Sequence, residues 1–366
     1  MSDLIIHIGA AKCGSSSIQA MLRKACRTST DPTISFVRLK PTDLITRLNR
    51  SDRNALQTCE SILKELAKAD VAVVSHEFLE KNNVAVYNIC RVAEHVGYQS
   101  ILIIGYTRRQ DDWQRSNFNQ WNFRNTKQLK RGAQALHNEG WHWRLFSAYE
   151  RWLITGLINQ EGPDWSAQAE QLQSTCHLIQ IPCTLASSPL SKSNKPEYLL
   201  QHFNQTCKLG LSAAFLKKCK PSKNTSFSEY ITETIAESIL LDEGDQFPIT
   251  PHQQNGLLKR ISAHLPRRIP EINPDFTSTI EGHYLALFKG SNQKYCDQTK
   301  TSFEEHFSPG DTSQTGVHDD FISLIDQENR RRQQHMIEIL ESRAIIKAMA
   351  TRAILQTLCE MNNDPS

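Results

Sequence analysis

Short runs of apolar residues, rich in β-branched side chains, recur along the chain, and each is about as long as one strand. Segments in which apolar residues recur at helical spacing lie between these runs. Apolar strands that alternate with helices are typical of a parallel sheet covered by helices on both faces. The predicted strands are Leu4–Ile8, Phe36–Leu39, Val71–Val74, Ile101–Thr107 and Leu178–Pro182. A turn is predicted at Ser187–Leu190.

The last part of the chain has a different pattern. Residues 308–316 are rich in Ser, Thr, Gly and Pro, which predicts a linker. Residues 317–364 contain no Gly or Pro and predict one long helix or two, which pack back on the domain or pair with another chain. The arginines at 330–332 are expected on a solvated helix face. We therefore predict an α/β domain over 1–307, a linker over 308–316 and a helical C-terminal extension over 317–366.

Composition narrows the class of protein. The 39% hydrophobic content and the lack of a long apolar stretch predict a soluble protein without a transmembrane segment, and residues 1–20 do not resemble a signal peptide, so we expect a cytoplasmic location. The net charge of +3 is too small to indicate a nucleic-acid-binding protein. The ten cysteines form no C-x-x-C pair and the histidines form no H-E-x-x-H motif, so no metal site is expected.

The first predicted strand runs into a short loop of small residues. Gly9 and Gly14 bracket this loop, Lys12 is its cation, and Ser15-Ser16-Ser17 opens a helical pattern. Backbone N–H groups of a Gly-containing turn and the positive end of the following helix attract a phosphate or a sulfate. The segment therefore predicts an anion site to which Lys12 adds charge and the serines add hydroxyl donors.

Polar residues also follow two of the other predicted strands. Ser75-His76-Glu77 comes directly after the strand at 71–74, and Arg108 comes directly after the strand at 101–107. Chemistry in parallel sheets collects at the carboxyl ends of the strands. A carboxylate beside an anion site is not an anion ligand, so Glu77 is a candidate proton acceptor. The other interpretation of Glu77 is that it caps the next helix, with His76 packed beside it.

The loop differs from the nucleoside-triphosphate P-loop, in which the lysine follows the second glycine. Instead, the text H-I-G-x-x-K-x-G-S-S-S-I-Q resembles the phosphosulfate-binding loop of sulfotransferases that use 3′-phosphoadenosine-5′-phosphosulfate (PAPS), most closely the bacterial ones. Cys13 departs from the usual Thr or Ser. Arg108 and Ser116, eight residues apart, resemble the Arg and Ser of the 3′-phosphate site in that family, although Arg109 and Gln110 replace the usual Asn-Pro.

The resemblance implies a three-layer P-loop fold with a central, mainly parallel sheet flanked by helices. It also implies a PAPS-dependent transfer without a metal. The loop residues would bind the phosphosulfate, Arg108 and Ser116 the 3′-phosphate, and Glu77 or else His76 would be the base, with Lys12 stabilising the leaving group. The residues implied in cofactor binding are Lys12, Cys13, Gly14, Ser15, Ser16, Ser17, Arg108 and Ser116.

The acceptor is predicted less directly. Residues 113–143 mix cations with aromatic side chains, which fits a buried core beside a solvated face or an acceptor cleft in which Trp121 or Trp141 stacks on a sugar. Together with what the resemblance implies, these tryptophans make a saccharide the expected acceptor and partner. A lipid headgroup, a peptide tyrosine and a small metabolite stay open as acceptors. Two other functions stay open: a P-loop nucleotide kinase or phosphotransferase, and a non-catalytic protein that keeps the nucleotide pocket while the C-terminal helices form a homo-oligomer.

Overall fold

A computed structural model describes residues 2–10, 12–28, 33–39, 42–190, 196–219, 227–241, 251–269, 274–307 and 318–363. The chain divides into two compact units. The first, here called the sheet unit, comprises Met1–Arg109, Asp164–Asn224 and Lys289–Ser308. The second, here called the helical unit, comprises Gln110–Pro163, Thr225–Phe288 and Pro309–Ser366.

The strands of the described residues form one parallel sheet in the order β2-β3-β1-β4-β5. Their bounds are β1 (Asp3–Gly9), β2 (Ile34–Arg38), β3 (Val71–Ser75), β4 (Ile101–Arg108) and β5 (Cys183–Leu190). Helices separate the strands along the chain, as a parallel sheet requires, because each connection must return to the starting edge. This arrangement confirms the predicted α/β class and its central parallel sheet flanked by helices.

Helices make up most of the remaining described residues. In chain order they are α1 (Ser15–Thr28), α2 (Thr42–Asn49), α3 (Arg53–Leu66), α4 (Asn83–Val96), α5 (Gln110–Phe118), α6 (Thr126–Asn138), α7 (Ala148–Ile158), α8 (Trp165–His177), α9 (Pro196–Thr206), α10 (Ala213–Lys218), α11 (Glu229–Leu241), α12 (Pro251–Ala263), α13 (Pro274–Leu287), α14 (Lys289–Thr299), α15 (Phe303–His306), α16 (His318–Gln334) and α17 (Met336–Asn363). Short 3₁₀ turns lie at Glu77–Lys81, Asn122–Arg124 and Trp143–Leu145. Among the described residues, no helix combines the length and the apolar character that a membrane crossing needs.

Successive side chains of each strand point to opposite faces of the sheet, and this explains the helix layers of the sheet unit. On β1, Leu4, Ile6 and Ile8 belong to a core cluster that also contains buried residues of α2, α3, α4 and α8. The residues between them, such as Ile5 and His7, are equally buried, and α1 and α9 supply a buried layer of their own. Both faces of β1 are covered because successive side chains of a strand point to opposite faces.

The fifth strand lies later in the chain than predicted. Leu178–Pro182, predicted as a strand, follows the end of α8, and Ser187–Leu190, predicted as a turn, is the second half of β5. Leu178 is largely exposed, whereas β5 pairs with β4 over its whole length. The Ser and Pro residues are tolerated because β5 is an edge strand. Proline has no backbone N–H, and at an edge this does not cost a hydrogen bond to a second neighbouring strand.

The C-terminal segment consists of two helices, α16 and α17, as its pattern predicts, and they pack against earlier helices of the same unit. Phe321, Ile325 and Ile339 join the core of α7 and α13, while Ala350 and Ala353 join the core of α11 and α12. The helical unit combines these two helices with two earlier parts of the chain, Gln110–Pro163 and Thr225–Phe288, and the predicted domain bounds stay a prediction. The predicted linker at 308–316 lies outside the described residues.

The expected solvated face at 330–332 holds only in part, because Arg332 is completely buried while Arg330 is exposed. The Arg332 guanidinium donates to the two carboxylate oxygens of Glu150 at 2.7 and 2.8 Å and to Glu328 Oε1 at 2.6 Å. Burial tends to raise the pKa of Glu150, but Arg332 holds that pKa below its ordinary value. The pair therefore joins α16 to α7 inside the helical unit.

Replacing Arg332 by Leu is expected to lower the free energy of unfolding by about 3 to 5 kcal/mol, because Glu150 would remain buried without the guanidinium that now donates to both of its oxygens. Arg330→Leu, on the same helix, is the matched control and should change it by less than about 0.5 kcal/mol. Chemical denaturation of both variants measures the difference. Equal stability of the two variants would show that the buried pair does not hold α16 in place.

Candidate functional site

The loop between β1 and α1 is short and closed by its own hydrogen bonds. The Cys13 N–H donates to the Ala10 carbonyl at 3.1 Å, and the Ser17 N–H donates to the Gly14 carbonyl at 2.9 Å. The Ser15 hydroxyl donates to the same Ala10 carbonyl at 3.2 Å. Since α1 begins at Ser15, the positive end of its dipole lies at the loop. The loop therefore has the general form of an anion site.

Both loop glycines occupy backbone conformations that favour glycine, with φ of +95° at Gly9 and +82° at Gly14. A Cβ on Gly9 would lie 2.8 Å from the Cα of Glu77. A Cβ on Gly14 would overlap the side chain of Leu199. The glycines thus let the loop lie directly against the end of β3 and against α9.

Two cations meet at this loop. Lys12 is partly buried, and its backbone carbonyl lies 3.5 Å from Nη1 of Arg108, the last residue of β4. Burial, and next the charge of Arg108, lower the pKa of Lys12 from 10.5 to about 7, although Glu77 acts in the opposite direction. An anion bound between the two cations would relieve their repulsion and restore the charge on Lys12.

The other predicted loop residues differ in exposure. Cys13 is completely buried, and burial, with Glu80 nearby, raises the pKa of its thiol, so the side chain remains neutral. Ser15 and Ser17 are buried and Ser16 is partly exposed. Among these, the Cys13 thiol lies within the core rather than at the surface of the loop. Ligand binding by residues 12–17 stays a prediction.

At the end of β3 the two candidate bases, His76 and Glu77, have different hydrogen-bond partners. Nδ1 of His76 accepts a hydrogen bond from the Phe78 N–H at 3.1 Å, so the proton of the neutral ring lies on Nε2 and the ring is a donor there. Glu77 lies 3.1 Å from Arg38. Burial tends to raise the pKa of Glu77, but a backbone hydrogen bond and Arg38 hold it below its ordinary value. Glu77 is therefore ionised and able to accept a proton at neutral pH.

Arg38 was not singled out from the sequence. It ends β2, where it lies opposite Ser75 in the parallel register, so β2 and β3 bring it beside Glu77. Its position in the sequence could have identified it. Like Glu77 and Arg108, Arg38 is a charged residue at the carboxyl end of an apolar strand, where the candidate site residues lie. We interpret Arg38 as the residue that positions the Glu77 carboxylate.

A buried hydrogen-bond chain lies behind these groups. His7 Nδ1 lies 2.8 Å from Ser75 Oγ, and the side-chain amide of Gln19 donates a hydrogen bond of 3.1 Å to the same oxygen. Burial lowers the pKa of His7 to about 4, so its ring is neutral. Ser75 is thus held by two neighbours in the core, and it supports the end of β3 instead of facing a ligand.

The predicted pair of Arg108 and Ser116 is divided between the units. Arg108 belongs to the sheet unit, where its carbonyl accepts a hydrogen bond of 2.9 Å from the Trp165 indole. Ser116 lies on α5 of the helical unit and is partly exposed. A joint phosphate site of these two residues stays a prediction. The sheet unit does bring together Lys12, Glu77 and Arg108.

The two tryptophans considered for an acceptor cleft have different surroundings. Trp141 is buried in the core of the helical unit, whereas Trp121 is exposed with the Arg124 guanidinium 5.2 Å from the centre of its ring. Trp141 is therefore a core residue. Trp121 is the one of the two whose indole remains accessible.

Sulfate is expected to bind the loop more weakly as the pH rises from 6 to 9, because Lys12 loses its proton around pH 7 while sulfate stays a dianion. Binding raises the pKa of Lys12, so protons are taken up with the anion within this pH range. Titration of sulfate by calorimetry in buffers of different ionisation enthalpy measures both effects. Lys12→Arg, which stays charged, should flatten the pH dependence, and a wild-type affinity independent of pH would contradict the assignment.

Comparison with protein-family models finds no match, and comparison with curated proteins finds no significant similarity.

Proposed function

We propose that this protein is a sulfotransferase that moves the sulfuryl group of PAPS to a hydroxyl or amine of an acceptor. The observation that supports this most directly is the pair of cations at the β1–α1 loop, Lys12 and Arg108, beside an ionised carboxylate, Glu77. A cation pair favours an anionic donor group, and a separate base is what an incoming hydroxyl requires.

The roles follow from the chemistry of the transfer. The acceptor oxygen forms a bond to sulfur as the bond between sulfur and the bridging phosphate oxygen breaks, so negative charge grows on the leaving phosphate. Lys12, and the N–H groups at the start of α1, are suited to oppose that charge. Glu77 would take the proton of the acceptor hydroxyl. Adenosine 3′,5′-bisphosphate leaves with the electron pair of the broken bond.

The remaining residues have supporting roles in this proposal. Arg108 and Ser116 would bind the 3′-phosphate, and the loop residues 12–17 would surround the 5′-phosphosulfate without a metal. His76 is the weaker candidate for the base because its Nδ1 already accepts a backbone hydrogen bond. A saccharide or glycoconjugate is the proposed acceptor, with the exposed indole of Trp121 as its stacking surface. A cytoplasmic location is part of the same proposal.

Adenosine 3′,5′-bisphosphate is expected to bind with micromolar affinity and in preference to ATP and AMP. Arg108→Ala should weaken that binding about 10- to 100-fold, because a charged hydrogen bond contributes about 1.5 to 3 kcal/mol. Calorimetric titration of wild type and variant with the three nucleotides is the test. Arg91→Ala, which removes an exposed arginine of α4, is the control. Tight binding of ATP with no preference for the 3′-phosphate would favour a phosphotransferase instead.

Glu77→Gln is expected to leave bisphosphate binding unchanged and to slow sulfuryl transfer about 10²- to 10⁴-fold, as loss of a general base does. The fall in transfer by the wild type on the acidic side of the pH profile should follow the protonation of Glu77. Arg38→Met should raise the pKa of Glu77 and move that fall to higher pH. Full activity in Glu77→Gln would assign the base to another residue.

A further inference from the structure

Helix α17 has two apolar faces, and its own unit covers one of them. Ile346, Ala350, Ala353 and Thr357 are buried, and the two alanines belong to the core that α17 shares with α11 and α12. These residues recur at intervals of three or four and form a single face of the helix. The packing of α17 within the helical unit uses this face.

A second apolar face remains exposed. It is here called the α17 stripe and consists of Ile337, Leu340, Ala344, Ala348, Thr351, Leu355 and Leu358, all exposed. At 100° per residue these positions fall within about 80° of one another, and the stripe is about 32 Å long. The four large side chains are between 43% and 72% exposed. A continuous stripe of this length exceeds the scattered apolar residues of an ordinary surface and marks an interaction site.

The spacing of the stripe indicates what kind of surface covers it. Ile337, Ala344, Thr351 and Leu358 lie seven residues apart, as do Ala348 and Leu355, which is the spacing of helices that pack side by side. Another helix is therefore the element that fits this face. Its side chains would have to be small near Ala344 and Ala348 for the two backbones to approach there.

The sizes of the side chains along the α17 stripe match those of a second α17 stripe that runs in the opposite direction. Its large residues lie at both ends and its two alanines lie near the middle. If a second α17 lies antiparallel across a twofold axis near Ile346 and Lys347, Ala344 faces Ala348 of the second copy. The same arrangement sets Ile337 against Leu355 and Leu358 of that copy. Large side chains then fill the space where the crossed helices diverge from their closest approach.

The charges beside the stripe follow the same symmetry. Glu341 and Arg352 lie on one flank of the stripe, are exposed, and are equally far from the midpoint between Ile346 and Lys347. Neither has an ion-pair partner among the residues that the structure describes. In the antiparallel pair Glu341 of each copy lies beside Arg352 of the other, so one contact occurs twice. In a parallel pair, one flank of the stripe would face the opposite flank of the other copy. Glu341 and Arg352 would then not contact each other.

We propose that the α17 stripe is a self-association surface, on which a second copy of this chain places its own α17 in the antiparallel direction. The self-complementary size pattern and the matched charges together favour a second copy over an unrelated helix, which would need both features by coincidence. The surface lies wholly in the helical unit and does not depend on the proposed sulfuryl transfer.

Sedimentation velocity of the full chain over a wide concentration range is expected to show a monomer–dimer equilibrium. Leu340→Glu and Leu355→Glu should each weaken dimerisation by at least about 100-fold, because each dimer would bury two carboxylates. Leu178→Glu is the matched control, since Leu178 is 64% exposed and belongs to the sheet unit. A wild type that stays monomeric throughout, or a dimer that Leu340→Glu leaves intact, overturns the proposal.

Charge reversal tests the direction of pairing. Glu341→Arg and Arg352→Glu should each weaken the dimer about tenfold, because two exposed ion pairs become two like-charge contacts. The double variant restores both pairs and should dimerise like the wild type. Because both residues are exposed, these variants test the interface even if the glutamates in the stripe disturb folding. A double variant no stronger than the single ones overturns the antiparallel arrangement.

Discussion

The close approach of the β1–α1 loop to the end of β3 is the constraint on which the candidate site depends. Gly9 lies so near the backbone of Glu77 that a side chain at Gly9 would displace one of the two segments. The loop also turns at Gly14 beneath Leu199. This contact sets Lys12, Glu77 and Arg108 at one edge of the sheet, within the range of one another's charges.

Charged side chains have different partners in the two units. In the helical unit Arg332 is matched to Glu150 and Glu328, and the contacts bind α16 to α7. In the sheet unit the carboxylate of Glu77 is paired with Arg38, and Lys12 lies beside a second cation. An anion that binds beside Lys12 and Arg108 would raise the lowered pKa of Lys12 again, so its binding is favoured. The first arrangement stabilises a core, and the second is suited to binding.

The surroundings of Lys12 and Glu77 change their pKa values differently, and this fits the different roles proposed for them. Burial and Arg108 bring the pKa of Lys12 close to neutral pH, whereas Arg38 helps keep Glu77 ionised. His7 and Cys13 lie in the same region, yet burial keeps both neutral. The charged chemistry of the site therefore rests on a few groups at the sheet edge, while the residues behind them form a neutral support.

The sequence by itself determined the α/β class, four of the strands and the strand–loop–helix at the start of the chain. These features are local, because they follow from apolar runs of strand length and from glycines that permit a positive φ. It also placed Lys12, Glu77 and Arg108 at strand ends. The fifth strand was misplaced, because its Ser and Pro residues are tolerated only at an edge that the sheet order defines.

Only the tertiary structure decided which of these groups meet. The partner of Glu77 is Arg38, from a strand that precedes it by more than thirty residues. The burial of Arg332 within a run of three arginines, and the division of α17 into a covered face and an exposed stripe, likewise depend on segments far apart in the chain. Local spacing identifies a face of a helix or the end of a strand. Which face is covered, and which charge is neutralised, depends on long-range packing that spacing does not contain.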